Sequence, residues 1–191
     1  MLETVCNRRR TASLANRFLN IRCLCFLMSK ENGQADGHYE LAPVAENTAA
    51  WNSYHEIART SLFKNDKQAY YDALKLFDSY YAKMTPLLLS FNGEAVGTVA
   101  LDELGDGNAA MRMVAVEKAH QGQGHGRALG SLFIEFARSH GIRRLCVNAG
   151  SEAVGYYASL GFTPETWSRE EDETFRKSGG VMPVQMVRDI S

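Results

Sequence analysis

The chain has 191 residues, 45% hydrophobic and 23% charged, the composition of one soluble globular domain long enough to bury both a core and a pocket. No run approaches the roughly 18 apolar residues of a membrane span, so neither an integral membrane protein nor a membrane partner is expected. The net charge of −1 is unevenly spread: residues 1–30 carry six basic side chains against the acid Glu3, leaving 15 basic against 21 acidic, a sign that repels a nucleic-acid backbone and excludes DNA or RNA as partner of the folded part.

Cys6, Cys23, Cys25 and Cys146 are too few and irregular for a disulfide scaffold, and Cys23-Leu24-Cys25 lacks a second ligand pair for zinc. They read as reduced thiols of a cytoplasmic protein without a metal. Residues 1–38 form an extension in which Arg8, Arg9 and Arg10 precede an apolar patch, Ile21 to Met28. Arg22 interrupts that patch, and Lys30-Glu31-Asn32-Gly33 stands where a secretory signal needs small residues. Met28 is read as the start of the functional protein, the alternative being an organelle import leader. A flexible lead-in then reaches a single domain at 39–191.

Tyr39 to Val44 alternates as a first strand, and Trp51, Tyr54, His55, Ala58 and Leu62 fall at helical spacing. A second helix runs between Asp66 and Met84 on Tyr70, Leu74, Phe77, Tyr80 and Tyr81, with Pro86 marking its end. Asn92-Gly93 suits a type I′ turn between two strand-like runs, and "AAMRMVAV" continues a meander. A helix from Gly126 to His140, a strand over 143–148, a short helix from Ser151 to Ser159, a strand after Gly161-Phe162 and a last strand over 181–187 complete the order. These elements predict an α/β (α+β) domain with one mixed sheet flanked by helices.

The segment "HQGQGHGRALG" (120–130) places three glycines at the start of a helix, where backbone can approach phosphate oxygens. It fails as a nucleotide triphosphate loop, because no Gly-Lys-Ser/Thr occurs in the chain, and as a dinucleotide fingerprint, whose last glycine position holds Arg127 or Leu129. What remains is Gln121-x-x-Gly124-x-Gly126 at a strand-to-helix junction. With "YYASLGF" (156–162) downstream, the stretch Met113 to Phe162 resembles the acetyl-coenzyme A-binding core of the GCN5-related N-acetyltransferases, the GNAT superfamily.

The resemblance implies a mostly antiparallel central sheet and acetyl-CoA as co-substrate. It implies that Val114, Ala115 and Val116 pair with the pantetheine arm, and that Gly122, Gln123, Gly124, His125, Gly126 and Arg127 bind the pyrophosphate, with Gln121 completing the motif. The His125 side chain is read as an ordinary exposed loop residue, and Leu129, Leu132, Phe133 and Phe136 as core. Asn148 either bonds the cofactor or helps cap the next helix, which Ser151 could equally cap.

An amine attacking a thioester needs a deprotonated nitrogen, donors for the oxyanion and a proton for the departing thiolate. Tyr157 matches the superfamily tyrosine and is assigned as general acid, with Tyr156 as a packing residue and the amide of Val116 or its neighbour as oxyanion donor. Where some family members carry a glutamate base and an asparagine, this chain has Leu145 and Gly150. The base is left among Glu103, Glu117, His120 and a water chain to a carboxylate.

The acceptor is expected to be a small-molecule or peptide amine. Glu170, Glu171, Asp172 and Glu173 either draw in a cationic amine or form a solvated charge run, and Trp51, Tyr54, Arg59 and Phe63 either line its pocket or pack. A homodimer is compatible with this reading. The competing reading is a catalytically silent CoA-binding or regulatory domain.

Overall fold

The computed structural model describes residues 24–26, 37–80, 84–178 and 182–191. The leader arginines, Met28, Cys6, Cys23 and Tyr81 lie outside the described residues. The strands are β1 (Leu24–Phe26), β2 (Tyr39–Pro43), β3 (Met84–Phe91), β4 (Glu94–Gly105), β5 (Asn108–Val116), β6 (Arg144–Ala149), β7 (Thr163–Pro164) and β8 (Val184–Asp189). They form one sheet in the order β1-β2-β3-β4-β5-β6-β8-β7, antiparallel except for the parallel β5–β6 pair. This is the mixed, mostly antiparallel sheet that was expected. It begins before Tyr39, because Leu24–Phe26, in the apolar patch of the stretch read as an extension, pairs with β2. Three residues are too few for alternation to show.

Helices α1 (Ala49–Leu62) and α2 (Lys67–Tyr80) cover one face, and α3 (His125–Ser139) and α4 (Val154–Ser159) the other. Thr48 opens α1, its hydroxyl accepting from Trp51 N–H at 3.1 Å, and Tyr54, Ile57 and Ala58 form the buried stripe. Leu62, expected on that stripe, is exposed. Asp66 opens α2 in the same way, accepting from Ala69 N–H at 3.0 Å. Pro86 lies inside β3, opposite Ala100, because the strand already begins at Met84.

The Asn92-Gly93 turn has φ of 52° and 84°, as a type I′ hairpin requires. On α3, Leu129, Leu132, Phe133 and Phe136 are all buried against the sheet with Leu145, Val147, Leu160 and Phe162. The stretch expected as a charged loop before the last strand contains a fifth helix, α5 (Arg169–Ser178). Among the described residues no helix is long and apolar enough to cross a membrane.

Candidate functional site

Two neighbouring strands part in the middle of the sheet. β5 and β6 pair at Asn108↔Arg144, Ala109↔Leu145 and Ala110↔Cys146, and their pairing ends there. A bulge re-aims the strand beyond that point: Val99 of β4 stands against both Met113 and Val114, where the register slips between Thr98↔Ala115 and Ala100↔Arg112. Met113 takes the left-handed φ of 50°, and the buried Thr98 hydroxyl donates to its carbonyl at 2.9 Å. Val114, Ala115 and Val116 therefore carry an edge unpaired by β6, as a ligand lying along the strand would need.

The chain leaves β5 through one 3-10 turn, Lys118–His120, and enters the glycine loop. Gly122 and Gly124 adopt φ of 77° and 89°, and an added Cβ at either would meet nothing within 4 Å, so conformation and not space calls for glycine. Among the described residues, the backbone N–H groups of Gly122, Gln123, Gly124, His125 and Gly126 find no acceptor. Open amides at the start of a 15-residue helix make a cradle for an anion.

Gln121 and Gln123 turn their side-chain amides to the Val116 and Ala119 carbonyls at 3.0 and 3.1 Å, bracing the loop on the strand it leaves. Arg127 is exposed beside the cradle. His125 corrects the sequence reading, because it is only 3% exposed and its Nδ1 meets the Tyr39 hydroxyl at 2.8 Å. Phe91 packs on the same ring at 5.0 Å. Both partners come from distant strands, so the local glycines hide the burial. Burial, and secondarily His120, lowers the His125 pKa, leaving a neutral ring that fixes the loop.

The "YYASLGF" segment has a full local explanation. Gly161, at φ 82°, ends α4 so that Phe162 N–H bonds the Tyr157 carbonyl at 3.1 Å and Gly161 N–H that of Ala158 at 2.9 Å. This places the Phe162 ring 5.7 Å from that of Tyr157. The Tyr156 hydroxyl donates to the Gly126 carbonyl at 2.8 Å, tying α4 to the loop. The Tyr157 hydroxyl has no hydrogen-bond partner among the described residues. Burial, and secondarily Tyr156, raises its pKa above the ordinary phenol value. The helix itself starts at Val154, not Ser151, whose hydroxyl bonds Glu152 and caps nothing.

The opposite face of the opening carries an ion network absent from the sequence reading. Two residues past the last β5–β6 pair stand Arg112 and Asn148, and both donate to Glu171 of α5: Arg112 through both terminal nitrogens, Asn148 through Nδ2. Arg112 Nε also donates to Asp102 of β4 at 3.2 Å, and its guanidinium lies 5.4 Å from the Trp167 ring. Arg112 and Asp102 are 5% and 0% exposed. Asn148 thus joins this network and caps no helix. Glu103, paired with Ala109, lies where the strands are still joined. Glu117 and His120 contact each other at 3.5 Å beyond the end of β5, and the Glu117 amide is committed to Val96.

Of the early aromatics, Tyr54 is fully buried and packs, while His55 bonds the Tyr70 hydroxyl and stacks edge-on with Trp51. A family model described as the acetyltransferase (GNAT) family matches residues 51–162. Among solved structures, the ribosomal-protein-S18-alanine N-acetyltransferase of Escherichia coli is similar over 80% of this chain and 94% of its own, at 20% identity and TM-score 0.58. An acetyltransferase of Bacillus subtilis in complex with CoA is similar over 78% and 97%, at 15% identity and TM-score 0.58. Tetrahymena GCN5 is similar over 80% and 96%, at 19% identity and TM-score 0.57. At such identities these structures share the fold, and with a family match across more than half its length the chain belongs to the GNAT acetyltransferase family.

Proposed function

We propose that this protein transfers an acetyl group from acetyl-CoA to a primary amine of a small-molecule or peptide acceptor, by direct attack of the amine on the thioester. The observation that carries this reading is the row of unpaired amides from Gly122 to Gly126 running into the open edge of β5. An anion site and an unpaired strand edge, end to end, fit a ligand with a pyrophosphate and an amide-bearing arm. The amides and Arg127 take the pyrophosphate, and Val114 to Val116 pair with the two pantetheine amides. Tyr157 donates a proton to the departing sulfur, its raised pKa keeping the hydroxyl protonated throughout the working range.

Direct attack makes a simple prediction for the chain mixed with acetyl-CoA alone. Acetyl-CoA should bind, the intact mass of the protein should stay unchanged, and no free thiol should appear until an amine is added. A stably acetylated protein chain with stoichiometric thiol release would replace direct attack with a covalent intermediate.

Gly124→Ala tests the cradle. An alanine held at φ near 89° costs about 1–2 kcal/mol, which the free loop relieves by relaxing and the bound loop cannot. Acetyl-CoA affinity measured by calorimetry should fall roughly 5- to 30-fold. Unchanged affinity would mean that the loop amides do not hold the ligand.

A further inference from the structure

We infer that Glu171 is the acceptor-side base of this reaction, reaching the opening between β5 and β6 from the face opposite Tyr157. The inference rests on the proposed amine acetylation and adds the residue that neutral amine formation requires.

The start of α5 is built to present this carboxylate. Ser168-Arg169-Glu170-Glu171 has the spacing of a capping box, in which the glutamate normally folds back onto the N–H of the capping residue. Half of that box is made, Glu171 N–H donating to Ser168 Oγ at 3.2 Å. The other half is not. The Ser168 N–H donates instead to Gln185 Oε1 of β8 at 2.9 Å, and the Glu171 side chain points into the fold. Gln185, itself buried, also accepts from Trp167 N–H and donates to the Ser168 carbonyl, both at 2.7 Å, so α5 is docked at the residue before its first turn.

The destination of the side chain is specific. Ala109, Met111, Leu145 and Val147 face the core under α3 and α4, where Tyr157 lies, while Ala110, Cys146 and Trp167 cluster apart from them. Arg112 and Asn148 alternate with Met111 and Val147, so Glu171, which both of them hold, lies on the sheet face opposite the core that contains Tyr157. Glu171 keeps 13% of its side chain exposed, enough to be reached.

The groups facing Glu171 are Arg112 from β5 and the neutral Asn148 from β6, with Asp102 of β4 and Cys146 of β6 beside Arg112. Burial pushes the Glu171 carboxyl up to about 8, against the pull of the Arg112 fork toward the ionised form. A carboxylate balanced in this way accepts a proton more readily than a surface one.

The acceptor arrives as an ammonium ion. One N–H proton passes to a Glu171 oxygen, and the freed lone pair forms the C–N bond to the acetyl carbon. The C–S bond breaks with its electrons on sulfur, which takes the Tyr157 proton. The surplus proton on the new amide nitrogen restores Tyr157, and Glu171 releases its proton to solvent. Ammonium and thioester become amide, thiol and one proton. Arg112 and Asn148 are positioning residues in this scheme.

The test compares the full chain with Glu171→Gln and Glu171→Asp, using an amine that the unaltered chain acetylates. Glu171→Gln should lose about a hundredfold in kcat at neutral pH, with acetyl-CoA affinity unchanged, and should recover as pH rises toward the pKa of the amine, where solvent does the deprotonation. Glu171→Asp, which keeps a carboxylate, should recover part of the neutral-pH rate and serves if the glutamine variant folds poorly. Wild-type kcat and pH profile in Glu171→Gln, or no rate difference between the two variants, would overturn the assignment of Glu171 alone. An unaltered chain that acetylates no amine would overturn both this assignment and the acetyl transfer beneath it.

Discussion

Tyr157→Phe should lower kcat by about 10³-fold while leaving acetyl-CoA affinity within about twofold of the unaltered chain, the pattern of an interaction made in the transition state. The substitution removes one oxygen that has no partner among the described residues, so folding loses no hydrogen bond. The ring stays fixed by Phe162 and by the turn that Gly161 makes. Tyr156→Phe is the control, because that hydroxyl bonds the Gly126 carbonyl. It should cost about 0.5–1.5 kcal/mol in stability and leave kcat nearly intact. The two tyrosines are adjacent in sequence, Tyr157 buried and Tyr156 half-buried, so a result with their roles exchanged would show that the motif register misassigned them.

Arg112→Leu should destabilise the folded chain by about 3–5 kcal/mol, read from urea unfolding. The guanidinium is held by Asp102 behind it and Glu171 in front, and its loss leaves two carboxylates without their shared cation. The deficit should depend on pH. Burial raises the folded-state pKa of Glu171, so the folded chain favours its protonated form. That contribution is fully present below the unfolded carboxyl pKa and is lost as pH rises through the folded value. Arg112 offsets the loss, so the variant should fall further behind the unaltered chain at pH 8 than at pH 5. A deficit under about 1 kcal/mol, or one independent of pH, would mean that the network is solvated.

Local sequence announces some of these features and hides others. The glycine loop and the tyrosine turn are local: Gly122, Gly124 and Gly161 sit where the backbone takes positive φ, and the spacing of Tyr157 to Phe162 is that of one helix-ending turn. Most strand edges and the α3 stripe follow from alternation and period. The ion network is different, because Arg112 and Glu171 are 59 residues apart and only the fold joins them. A signal was nevertheless present, since a charged residue in the middle of the apolar run "AAMRMVAV" requires a buried partner. α5 escaped pattern reading because Phe175 is its only large apolar residue, although the Ser168 to Glu171 box marks its start. His125 was misread for the reason the network was missed: Tyr39 and Phe91 cover it from strands far away in the chain.

Delivery of an acetyl group to an amine by the open edge of β5 and the glycine loop is the central proposal. Its most direct test mixes the purified full chain with acetyl-CoA and a broad panel of primary amines, following free thiol and the mass of each amine. Thiol release that depends on at least one amine, matched mole for mole by its acetylated product, is the predicted result. Tight acetyl-CoA binding with no amine-dependent thiol release anywhere in the panel would contradict it and mark a CoA-binding domain without transferase chemistry.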